Sequence, residues 1–64
     1  MEKATLVRGN KTYRFIDDGD EYIVIGEETA YRGNTRCIYA ETFTEKEPAN
    51  EFYKELKKQG YKRA

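Results

Sequence analysis

The sequence predicts an α+β domain, an antiparallel meander of three to four strands with one C-terminal helix packed on one face. Three observations carry this. Ala49, Phe52, Tyr53 and Leu56 recur at i, i+3, i+4 and i+7, with charged or amide side chains between them, which is the stripe of a helix buried on one side. Two β-rich runs flank Gly9-Asn10, a dipeptide suited to a tight hairpin turn. Two further β-rich runs follow, punctuated by Asp17-Asp18-Gly19-Asp20 and by Arg32-Gly33-Asn34.

In chain order, ATLVR and KTYRFID form the first hairpin through a type II′ turn at Gly9-Asn10. Pairing across it sets Arg8 against Lys11, Val7 against Thr12, Leu6 against Tyr13 and Ala4 against Phe15. Leu6, Tyr13 and Phe15 then share one face, while Thr5, Val7, Thr12, Arg14 and Ile16 take the other. For the second turn, a three-residue loop with Gly19 left-handed aligns Tyr13 with Ile23 and Lys11 with Ile25, which completes a core face of Leu6, Tyr13, Phe15, Ile23 and Ile25. A two-residue loop on Asp18-Gly19 instead places Val24 beside Tyr13 and leaves both isoleucines outside. The first register gathers more apolar area and is the expectation.

The third run, EYIVIGEETAYR, is long for a strand, and Gly26 with Glu27-Glu28 marks a bulge or bend in it. The fourth, TRCIYAETF, leads to the helix. Whether the helix covers Cys37, Tyr39 and Phe43 or Ile38 and Ala40 depends on that bulge, since one extra residue inverts the faces. Thr44 and Glu47 fit a capping box, Pro48 lies near the first turn, and Gly60 followed by Tyr61 supplies a left-handed stop. A single β-β-β-(β)-α domain over residues 1–64 results, with the first and last three residues expected to fray.

A chain of 64 residues buries only about 60% of the surface that its unfolded form exposes, and one core of this size rarely yields more than roughly 3–5 kcal/mol. Twelve Lys/Arg balance twelve Asp/Glu, so no net field concentrates the chain on nucleic acid or on an anionic membrane. The lone Cys37 and the lack of histidine remove an internal disulfide, most zinc sites and imidazole acid–base chemistry. No apolar run approaches the roughly 18 residues of a membrane span, and Met1 to Thr5 lacks the features of a signal peptide, so a cytoplasmic location is expected.

Nothing in the chain reads as catalytic. Asp17 to Glu21 lacks the spacing of a calcium loop, Cys37 has no activating base, and the Arg-Gly-Asn turns are too short to cradle a phosphate. No enzyme, cofactor, metal or small-molecule substrate is expected. What remains is surface. One helix shields one side of the sheet, and the expected register leaves Val7, Ile16, Tyr22 and Val24 on the other side around Arg14, a mixture of aliphatic, Tyr and Arg side chains suited to a protein partner or a homodimer.

The meander also segregates charge. Arg8, Lys11, Arg32 and Arg36 flank the two Gly-Asn turns at one end, and the helix returns Lys54, Lys57, Lys58, Lys62 and Arg63 there, whereas Asp17, Asp18, Asp20, Glu21, Glu41, Glu45 and Glu47 gather at the other. This basic pole makes nucleic acid the alternative partner through phosphate contacts. The junction Thr42-Phe43-Thr44 with Ala49, Phe52 and Tyr53 resembles that of the arm-site DNA-binding domains of tyrosine integrases, which implies DNA contacts from the sheet face. It is similar also to the strand-turn-helix of cell-wall-binding SPOR domains. The chain departs from the DNA-binding group in lacking Trp and net positive charge, and the likeness is a shared packing solution.

Overall fold

The structure, a computed structural model, describes residues 2–64. Five strands and a helix follow in the order β1 (Glu2–Arg8), β2 (Lys11–Asp17), β3 (Tyr22–Thr29), β4 (Thr35–Phe43), α1 (Lys46–Lys58) and β5 (Lys62–Arg63). They build one antiparallel sheet, ordered β4-β3-β2-β1-β5, with α1 on one side. The first hairpin has the expected register, from Ala4 opposite Phe15 to Arg8 opposite Lys11. Its turn places Gly9 at φ 60° and leaves Asn10 at negative φ, as a type II′ turn requires.

The second turn corrects the expected register of β3. Asp18 N–H donates to the Glu21 carbonyl at 3.0 Å and Gly19 N–H to Asp17 Oδ1 at 2.9 Å, so Asp17 pairs with Tyr22 across the loop. Val24 therefore faces Phe15, Gly26 faces Tyr13, and Ile23 faces Ile16. The parity is that of the alternative loop, with Val24 inward and both isoleucines outward. Volume explains the choice. The space between sheet and helix is already occupied by Tyr13, Phe15, Tyr39, Phe43, Phe52, Tyr53 and Tyr61, which leaves room on β3 for a valine and a glycine. Two isoleucines there would overpack it.

β3 ends at Thr29, earlier than its β-rich run suggested, because Ala30–Asn34 closes a loop through Ala30 N–H to Asn34 O at 2.6 Å and Gly33 N–H to Ala30 O at 2.9 Å. Tyr31 on this loop is fully exposed. β4 pairs Phe43 with Tyr22 and Tyr39 with Gly26, then slips so that Glu27 meets Cys37. The bulge falls beside Gly26 as expected, but its extra residue is Ile38 on β4. That slip settles the parity of the strand: Tyr39 and Phe43 pack toward the helix, and Cys37 is exposed.

The helical stripe forms as its spacing predicts, with Ala49 and Leu56 buried and Phe52 and Tyr53 half-buried. The capping box does not form. The helix starts one residue later than such a box needs, so Glu45 is the N-cap with no side-chain bond, Thr44 lies outside it, and Pro48 is the third helical residue. The other end closes as expected: Gly60 sits at φ 100°, Gly60 N–H donates to Lys57 O and Tyr61 N–H to Leu56 O, each at 3.1 Å. This paired arrangement turns Tyr61 back into the core, where it is 5% exposed.

Residues 62–64, expected to be free, pair with the sheet. Tyr61 anchors them beside β1, where Lys62 pairs with Val7, Arg63 pairs with Leu6, and Ala64 N–H donates to Thr5 O at 2.9 Å. Glu2 likewise pairs with Ile16, so β1 is paired from its first described residue, and Met1 lies outside the described residues. The core consists of Leu6, Phe15, Val24, Leu56 and Tyr61, ringed by aromatics. Tyr39 stacks on Phe52 at 4.8 Å, and Tyr13 meets Tyr61 edge-on at 5.3 Å, contacts worth about 0.5–1.5 kcal/mol each beyond burial. Burial raises the Tyr13 phenol above its usual range, helped by the neighbouring Tyr61 and Tyr39; burial raises Tyr39 too, with the Glu41 charge adding to it.

Candidate docking face

Alternation along paired strands determines what the helix leaves uncovered. Reading across β4, β3 and β2, one row is Thr42, Ile23 and Ile16, and the next is Ala40, Ile25 and Arg14, continuing to Thr5 on β1. A third row is Cys37, Glu27, Thr12 and Val7, with Lys62 of β5 at its end. Val7, Ile16, Ile23 and Ile25 are each only half-buried.

At the centre, Arg14 Nη2 forms an ion pair with Glu27 Oε1, diagonally across β2 and β3. The side chains are 40% and 29% exposed, so the pair adds little stability; its effect is to cancel charge in the middle of an apolar surface. Arg14 Nε is buried and has no hydrogen-bond partner among the described residues.

Of the five residues expected on this face, Val7, Arg14 and Ile16 are there. Tyr22 and Val24 are not, because the second turn inverts β3. Val24 is fully buried in the core, and Tyr22, paired with Asp17 and Phe43, lines the helix side beside Ala49. Ile23 and Ile25 take their places. Sequence offered one signal for this: Gly26 can lie under the Tyr13 ring only in the parity that turns the isoleucines out.

The charged residues segregate as the meander implies except for Arg63, whose strand pairing with β1 carries it to the Lys3 carbonyl, at the end where Asp17 lies. Asn10 and Thr29 exchange two hydrogen bonds, Thr29 N–H to Asn10 O and Asn10 Nδ2 to Thr29 O, both 2.9 Å, which ties the first turn to the base of the 30–34 loop. Arg8 lies by Gly60, close to the helix end that carries Lys57 and Lys58. Lys11 and Arg36 flank Glu28 in neighbouring strands. Arg36 is engaged there, its Nη2 and Nε reaching Glu28 Oε1 at 2.8 and 3.2 Å, whereas Arg32 is exposed on the loop next to Tyr31.

Sheet, helix and uncovered face together define a small α+β domain with a one-sided sheet; among the described residues no helix is long and apolar enough to cross a membrane. Comparison of the chain with family models, with curated proteins and with solved structures gives no match.

Proposed function

We propose that this chain is a non-enzymatic protein-interaction module of the cytoplasm that docks through its open sheet face, on a partner protein or on a second copy of itself. The observation that carries the reading is the band of Ile16, Ile23 and Ile25, uncovered by any element and continued by Val7, around an ion pair already neutralised within the face. Four strands about 4.8 Å apart and seven residues of about 3.3 Å rise give a face on the order of 440 Å². Two such faces fall below the roughly 1,200–2,000 Å² of standard stable complexes, so the contact is transient and of modest affinity.

The test is light scattering and amide-shift mapping from micromolar to millimolar concentration, on the parent chain and on an Ile23→Thr/Ile25→Thr variant, which keeps β-branching on both positions. Mass and face shifts should rise with concentration in the parent and stay flat in the variant. Equal self-association of both would remove this face from the account.

A second reading, nucleic-acid binding, is supported by the Asn10–Thr29 bonds, which bring the two Arg-Gly-Asn turns side by side and leave Tyr31 exposed beside Arg32. Arg8, Lys11, Arg32, Lys57 and Lys58 would contact phosphates, with Arg36 occupied by Glu28. Its signature is affinity falling with salt, log K against log salt having a slope of about −0.7 to −0.9 per phosphate neutralised.

A further inference from the structure

A cleft of about 290 Å³ opens between the first turns of α1 and the paired ends of β1, β2 and β3, and its lining includes Ile16 and Ile23 of the open face. Its origin is legible in side-chain size. Ala49 is the smallest member of the helical stripe and Ala4 the smallest inward residue of β1, and both line the cleft, whereas Phe52, Tyr53 and Leu56 fill the space further along the helix. Phe15, Val24 and Ala49 are buried beneath it, and the half-buried Ile16, Tyr22, Ile23 and Tyr53 give it an apolar wall. Protein interiors tolerate few voids larger than a water molecule, so a space of this size, open to solvent beside half-buried apolar side chains, is a surface feature rather than a packing gap.

The rim is charged, mostly of one sign. Lys3, Lys46 and Arg63 line it; Arg63 Nη2 donates to the Lys3 carbonyl at 3.2 Å, and none of the three forms an ion pair among the described residues. The one carboxylate on the rim, Asp17, accepts a hydrogen bond from Gly19 N–H within its own turn. Three cations around an apolar wall of this kind complement a small molecule with an apolar body and one anionic group. We propose that this cleft binds a small amphipathic carboxylate of the aryl or short branched-alkyl class, its hydrocarbon part against Ala4, Ile16, Tyr22, Ile23 and Tyr53 and its carboxylate among Lys3, Lys46 and Arg63. The cleft is near the lower limit of ligand-binding sites, so affinity is modest, with a dissociation constant on the order of a millimolar or somewhat below.

The test is an NMR titration of the whole chain, labelled at amides and methyl groups, with phenylacetate and separately with phenylacetamide, which has the same shape without the charge. Phenylacetate should give saturable shifts at the Ala4, Ile16 and Ile23 methyls with Val7 and Ile25 silent, and phenylacetamide should bind about tenfold more weakly, the scale of one lost charge-assisted hydrogen bond. Lys46→Glu, at an exposed first helical position where an acidic residue suits the helix, should weaken phenylacetate by about tenfold and leave phenylacetamide unchanged. Absence of saturable shifts at these methyls, equal affinity for the two compounds, or indifference to Lys46→Glu would each overturn the proposal. Shifts on Val7 and Ile25 in their place would do the same, and would mark the open face as the binding surface.

Discussion

The ring of Tyr13 lies flat over Gly26, its direct partner across β2 and β3: a Cβ built on Gly26 would come within 2.6 Å of Tyr13 Cε2 and 3.0 Å of Cδ2 and Cζ. The ring cannot move aside, because Tyr39, Phe52 and Tyr61 surround it with centroids 5.3–6.0 Å away. Glycine in a strand normally costs backbone entropy. Here its missing side chain is the space that the aromatic ring occupies.

Gly26→Ala should therefore destabilise the fold by about 1–3 kcal/mol despite the better strand propensity of alanine. Urea unfolding checks this, and a Tyr13→Ala/Gly26→Ala double variant should show strong non-additivity, since removing the ring removes the clash. Additive costs would mean that the ring has room elsewhere.

The inverted parity of β3 separates two neighbours. Val24→Ala should cost roughly 1.5–3 kcal/mol, and Ile23→Ala about half as much although it removes more carbon, because Val24 is fully buried and Ile23 half-buried. Denaturant midpoints of the two variants give the order directly. The reverse order would restore the register in which the isoleucines face inward.

Stability should be level through neutral pH and fall in alkali. The native phenols of Tyr13 and Tyr39 hold their protons more tightly than those of the unfolded chain. Their contribution is thus fully present below the unfolded value of about 10 and is lost as pH rises from there through the raised native values. Tyr13→Phe should flatten part of that decline relative to the parent, both carrying the same lysines. Urea midpoints measured at successive alkaline pH values test this, and parallel curves would exclude Tyr13 as a source.

Deleting Lys62–Ala64 should cost about 1–2 kcal/mol, the net worth of a few sheet hydrogen bonds, and leave an unprotected edge on β1. Hydrogen exchange along β1 should accelerate while α1 keeps its protection, because Tyr61 and its turn remain. Unchanged exchange on β1 would mean that β5 contributes no cover.

Local chemistry was readable where the controlling partners are close in sequence. The stripe from Ala49 to Leu56, the Gly60-Tyr61 stop and the pairing around Gly9-Asn10 all rest on contacts a few residues apart, and each formed as read. The candidate face was legible only in part: Val7, Arg14 and Ile16 belong to the first hairpin, whose register its own turn sets, whereas Tyr22 and Val24 lie beyond a loop whose charged residues accommodate either parity.

The sequence by itself determined an amphipathic helix, a first hairpin and a meander with charges sorted to its two ends, because 3.6-residue periodicity, turn glycines and alternation are properties of short stretches. Only the tertiary structure decided which side of β3 and β4 meets the helix, and that the last three residues join the sheet. The physical reason is volume: aromatic side chains from β2, β4, α1 and the Tyr61 turn fill one shared space, and what they leave admits Val24 and Gly26 and turns Ile23 and Ile25 outward.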